Sequence, residues 1–243
     1  MTDIHCHILP DLDDGAASLE EALEMARMAY FSGVTDIAAT PHFRGEREQL
    51  RILEPMERRF RLLSEALRRE NIPVRLHPGA EVLCLPETPL LAARHELPTL
   101  GTGDHVLCEF YFDESFTFMD QTLTEIAEAG YRVVVAHPER YGAVQRDPYL
   151  LKRWARQGFV LQINKGSVLG AFGPGPERAA NDLLAVGLAH LIATDAHSCR
   201  SRTTHVGSLR EWVEEHCHED YAQILLDRNP RRVLEGRPMV GQD

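Results

Sequence analysis

The sequence predicts an α/β protein built as one parallel barrel of seven β/α units, and three observations predict it. Short β-branched or aliphatic runs alternate with longer amphipathic ones, the pattern of repeated βαβ units. The chain has 243 residues, 44% of them hydrophobic, a length that α/β barrels occupy as a single domain. His, Asp and Glu recur where the apolar runs stop, and in a parallel barrel all such strand ends open on one face. Residues 1–243 are accordingly read as one domain.

Seven candidate strands lie near residues 2–7, 35–40, 74–80, 104–110, 132–136, 159–163 and 190–194. The first helix is announced by Ser18 as cap, with Glu21 three residues on completing a capping box and Gly33 beyond its last turn. Leu19, Ala22, Leu23, Ala26 and Tyr30 would form its buried stripe. Pro55 is expected to interrupt the next helical region, which resumes through Phe60, Leu63 and Leu67 and stops before Asn71-Ile72-Pro73. Residues 168–176, with three glycines and two prolines, read as a mobile loop. From about residue 206 the pattern is of helices covering a barrel face.

Composition excludes several classes. No stretch approaches the ~20 apolar residues that a membrane helix needs, so no membrane insertion is expected. The opening Asp3-Ile4-His5-Cys6-His7 is ionisable from the start, unlike a secretory signal. Five cysteines, an odd number in a chain of this size, point to free thiols and a cytoplasmic location. A net charge of −11 argues against nucleic acid as a partner.

The chemistry sits in the strand-end residues. His5 and His7 close the first strand, His42 follows the second and Glu81 the third; Glu109 ends the fourth, His137 follows the fifth, and Asp195 and His197 follow the seventh. His5-x-His7 has the period of a strand, so both imidazoles share one side and Cys6 points away. A lone His or Glu is usually a satisfied core residue or a surface charge; eight of them at six strand ends are not accounted for in that way. The set exceeds the needs of one ion, so two or three divalent metals are expected, with Glu81 as bridge from its place in the middle of the order. Asp14, in Asp11-Leu12-Asp13-Asp14-Gly15, reads equally as a ligand or as part of an ordinary solvated turn. His216-Cys217-His218 lies in the helical region, where residues two apart do not share a face; His205 is near enough in sequence to the last ligands to contact substrate. None of the five cysteines is followed six positions later by Arg, as a thiolate phosphatase requires.

With these motifs in hand, the chain resembles the PHP (polymerase and histidinol phosphatase) superfamily. Within it, the chain is most similar to the bacterial manganese-dependent protein tyrosine phosphatases of capsule and exopolysaccharide synthesis. The resemblance runs from Asp3-Ile4-His5-Cys6-His7 and Asp13-Asp14-Gly15 through Pro41-His42, Gly79-Ala80-Glu81 and Glu109 to Ala136-His137-Pro138-Glu139-Arg140-Tyr141 and Asp195-Ala196-His197. It implies a distorted (β/α)7 barrel, with His5, His7, Asp14, His42, Glu81, Glu109, His137, Asp195 and His197 as ligands of up to three ions. Manganese comes first among these ions, and iron or zinc also suit the donors. It further implies that Arg140 and Arg202 hold the substrate phosphate, that water activated at the metals attacks phosphorus, and that the partner is a Tyr-phosphorylated protein, a tyrosine kinase of polysaccharide assembly. Cys6, where the family often has Ser, and Ala196 are conservative departures. The competing readings are a small-molecule phosphatase such as one for histidinol phosphate, an exonuclease, an amidohydrolase-like enzyme bridged through a modified Lys165, and an inactive metal-binding regulatory module.

Overall fold

In the computed structural model, which describes residues 1–240, nine strands all pair in parallel. They are β1 (Thr2–Cys6), β2 (Asp36–Ala39), β3 (His42–Arg44), β4 (Arg75–Pro78), β5 (Glu81–Leu83), β6 (His105–Glu109), β7 (Arg132–Ala136), β8 (Val160–Asn164) and β9 (Leu191–Ala193). One sheet has the order β1-β2-β4 and the other β3-β5-β6-β7-β8-β9.

Nine strands reduce to the seven expected positions because two runs are broken. β2 and β3 are one run interrupted at Thr40-Pro41, where proline removes a ladder donor, and β4 and β5 are one run interrupted at Gly79-Ala80. Both breaks fall at the same level, so the first halves pair toward β1 and the second halves toward β6. The remaining gap is closed beyond β9. Asp195 N donates to His5 O at 2.8 Å, His7 N to Ala196 O at 2.8 Å, and Cys6 bridges Ala196. Asp3, buried beneath this seam, accepts from Thr194 N at 3.0 Å.

Side chains alternate between two compartments, as the period of a strand demands. Val106, Cys108, Val133, Val135, Leu161 and Ile163 pack outward with helix residues such as Leu123 and Trp154. Leu107, Val134, Ala136, Val160, Leu191 and Ala193 join Ile4 in a separate cluster capped by Val233, Leu234 and Met239. That cap sits at the strand starts, where Thr102 N donates to Leu234 O at 3.1 Å just before β6.

Helices α1 (Leu19–Phe31), α2 (Leu53–Arg69), α3 (Thr88–Ala93), α4 (Phe116–Glu128), α5 (Gly142–Arg146), α6 (Leu151–Arg156), α7 (Lys165–Val168) and α8 (Pro174–Ala185) fill the connections. Beyond β9, helical segments run from Gly207 to Leu234, as the sequence pattern indicates. Three local expectations change. The buried stripe of α1 is Ala22, Met25, Ala26 and Ala29, an exact 3.6-residue spacing, and Tyr30 lies at its edge, 40% exposed. Pro55 is the third residue of α2 rather than an interruption, in the first turn where backbone N–H groups need no helical partner. The glycine- and proline-rich stretch is a short link: Val168 ends α7, Pro174 opens α8, and Ala171 N donates back to Gly166 O at 2.8 Å.

Candidate metal centre

The structure gathers all nine residues on one face, in four overlapping groups. They are His5-His137-Asp195, His5-His7-Glu81, His42-Glu81-Glu109, and His7-Asp14-His42-His197; within each, one donor atom per residue lies within 4.8 Å of the others. Glu81 is 1% exposed at the middle. Its Oε1 is 3.1 Å from His5 Nε2 and 2.9 Å from His137 Nε2, while its Oε2 is 3.2 Å from His7 Nε2 and 3.1 Å from His42 Nδ1. Asp14 is largely exposed in its turn, yet its Oδ1 lies 3.3 Å from His42 Nε2 and 3.4 Å from His197 Nε2.

Three of the ring nitrogens facing away from the centre are tied down, while His137 Nδ1 is buried without a partner among the described residues. His5 Nδ1 meets Gln162 Oε1 at 2.9 Å, His7 Nδ1 meets Asp13 Oδ2 at 2.8 Å, and His197 Nδ1 meets the Asp195 carbonyl at 3.0 Å. An acceptor on Nδ1 fixes the proton there and leaves Nε2 as the free donor toward the centre. Asp13, Gln162 and Asn164 were not singled out from sequence. Asp13 also accepts from His42 N at 3.0 Å and Gly15 N at 2.9 Å; Gln162 Nε2 donates to Asn164 Oδ1 at 2.7 Å, and Asn164 Nδ2 to Asp195 Oδ2 at 2.6 Å. The available signal was two buried amides two apart in an otherwise aliphatic strand.

Electrostatics describe a centre short of positive charge. Burial opposes protonation of His5 and His7, yet carboxylates overcome it: Glu81 and Asp195 hold His5 up at about 9, and Asp13 and Glu81 hold His7 up at about 10. Burial and the neighbouring Glu81 charge push Glu109 up to about 8. Burial and the charge on His7 lower His197 to about 4. Divalent cations would answer the same demand and displace the protons, and this mixed imidazole and carboxylate set suits Mn²⁺, Fe²⁺ and Zn²⁺. The residues therefore fit a multinuclear metal site.

Two arginines stand at the rim. Arg202 Nη2 is 2.5 Å from Asp195 Oδ2, and Arg140 Nη1 is 3.5 Å from the same oxygen. His137, Asp195 and Arg202 have φ of 33°, 49° and 50°, left-handed backbone that costs a non-glycine residue about 1–3 kcal/mol. Glu139, fully buried, accepts from Asn164 N at 2.9 Å and Ser167 Oγ at 2.6 Å, and burial pushes it up to about 7.

Other candidates fall away. Lys165 is buried, and its ammonium is engaged by the backbone carbonyls of Thr203 and His205, which argues against a bridging ligand of the amidohydrolase kind. The His205 ring turns to Gly207 N at 3.3 Å and belongs to none of the groups. His216 stacks on Trp212 with centroids 4.3 Å apart. All five cysteines are free. Among the described residues, no helix is long and apolar enough to cross a membrane.

Comparison with known proteins agrees with this geometry. The tyrosine-protein phosphatase YwqE of Bacillus subtilis is 35% identical over 245 residues, covering 100% of this chain and 94% of that one. The tyrosine-protein phosphatase CpsB of Streptococcus pneumoniae is 27% identical, covering 96% and 98%. A chain from the crystal structures of these two proteins, described as unique metal-dependent tyrosine phosphatases, superposes with a TM-score of 0.86 at 32% identity, covering 98% of this chain and 96% of the other. The family model for capsular polysaccharide synthesis proteins CpsB/CapC matches residues 1–235, and the chain belongs to that family.

Proposed function

We propose that this chain is a cytoplasmic metal-dependent protein tyrosine phosphatase whose substrate is a Tyr-phosphorylated protein, a bacterial tyrosine kinase of capsular or exopolysaccharide assembly. One observation carries the reading: eight donor side chains from six strand ends, with Asp14 from the turn after β1, share four overlapping groups beside two arginines directed at Asp195. The tyrosine phosphatase relatives supply the substrate class.

His5, His7, Asp14, His42, Glu81, Glu109, His137, Asp195 and His197 would hold two or three ions, manganese first. Bound there, the ions supply Lewis acidity and activate water for in-line attack on phosphorus. Glu81 would be the bridging ligand, since each of its oxygens faces a different pair of imidazoles. Gln162 and Asp13 keep the His5 and His7 Nε2 lone pairs directed inward. Arg140 and Arg202 receive the phosphate, since guanidinium forks match its oxygens and neutralise charge as it builds. Asn164 holds Asp195 in place while the arginines exchange that carboxylate for phosphate.

The test is phosphate release from a phosphotyrosine peptide and from histidinol phosphate, side by side, with Mn²⁺ and then with EDTA. Chelator-sensitive preference for the peptide is expected. Preference for histidinol phosphate would assign a small-molecule phosphatase, and no release from either would refute the enzyme reading.

A further inference from the structure

Arg140 is poorly held by charge. Among the described residues its one ion pair is the 3.5 Å approach to Asp195 Oδ2, and Arg202 occupies that oxygen at 2.5 Å. A long flexible side chain with so weak a polar anchor would sample many rotamers. Its guanidinium is instead flanked by two aromatic rings: Cζ lies 4.3 Å from the Phe112 centroid and 4.5 Å from that of Phe172.

Both rings are themselves placed. Phe112 O accepts from Gly142 N at 2.7 Å, two residues beyond Arg140, and the Phe112 ring stands edge-on to His137 with centroids 6.0 Å apart. Phe172 rests against Gly166 so closely that a Cβ there would lie 2.6 Å from two of its ring carbons, a contact no real side chain makes. Gly166 has no left-handed backbone to explain its identity, so the close approach does. The Phe172 ring also reaches Arg202, at 5.8 Å.

We propose that Phe112 and Phe172, the latter seated on the bare Cα of Gly166, are positioning residues that hold the Arg140 guanidinium between two aromatic faces with its N–H edge directed to the phosphate. Stacking uses the faces of the guanidinium and leaves the in-plane donors for oxygens, so the rings orient Arg140 without competing with the ligand. The proposal rests on Arg140 as a phosphate ligand.

The experiment compares Phe172→Leu, Phe172→Tyr, Gly166→Ala and Arg140→Ala, each alone, and Phe172→Leu with Arg140→Ala. Readouts are kcat and KM on a phosphotyrosine peptide, competitive inhibition by inorganic phosphate, and bound metal. Phe172→Leu should raise KM and the phosphate inhibition constant about fivefold to tenfold, the scale of a lost cation–π contact. Its metal content should be unchanged, and Phe172→Tyr should stay within about twofold of the parent. Gly166→Ala should move in the same direction, while Phe172→Leu carries the test if that variant does not fold. In the Arg140→Ala background Phe172→Leu should add almost nothing, because the two act through one group. Undiminished loss in that background, loss of metal, or a Phe172→Leu variant equal to the parent would each overturn the positioning role while Arg140→Ala still showed its own defect. If Arg140→Ala itself were silent, the phosphate assignment would fall, and the positioning role with it.

Discussion

Glu81 has no other partner chemistry to fall back on: four imidazoles approach its two oxygens and it is almost wholly buried. Glu81→Ala should therefore lose bound metal and activity together, measured as metal content and peptide turnover; an active variant would remove it as bridge. Asp13 acts one step further out. Asp13→Asn retains the nine donors but weakens the hold on His7 Nδ1, and metal affinity should fall about 10- to 100-fold in a chelator competition titration. These residues differ in how readable they were. The donors stand where strands stop, and a strand end is a local property of the chain. Gln162 and Asn164 act through side chains brought from distant segments, and Asp13 reaches His7 only because the turn folds back on the strand end; no local pattern records these partners.

Single elements show the same division. The start of α1 was legible because capping is local: Glu21 N donates to Ser18 Oγ at 3.2 Å, and the Glu21 carboxylate returns to Ala17 N at 3.1 Å. Ser18→Ala should lower unfolding free energy by about 1 kcal/mol in urea titrations without changing metal affinity. The breaks in the second and third strand runs were not legible, because changing sheet partner depends on the neighbour, and each run reads as one apolar stretch. Their consequence is local: the second halves begin with His42 and Glu81, directly paired in register, which sets these two donors side by side.

Across the whole molecule, one buried histidine far from the metal donors also couples folding to pH. His190 receives the Leu161 N–H on Nδ1 at 2.9 Å, and burial lowers it to about 4. Between that value and an unfolded pKa of about 6.5 the unfolded chain binds protons that the folded chain refuses. Its contribution to stability is therefore complete above that window and falls as pH drops through it. The change in urea-unfolding stability of the chelated protein between pH about 7.5 and 5.5 should be less favourable in the parent than in His190→Gln, a difference that separates this group from His5, His7 and Glu109, whose raised values act in the opposite sense; equal changes in both proteins would acquit His190. A different consequence follows from the seam between β1 and the residues after β9. His5 and His7 emerge from the ribosome long before Asp195 and His197. A growing chain can shape most of the barrel wall but not close the ring, so the two donor groups that need Asp195 or His197 wait for the segment after β9. An unfinished chain therefore lacks the complete set of donors until its last strand is in place.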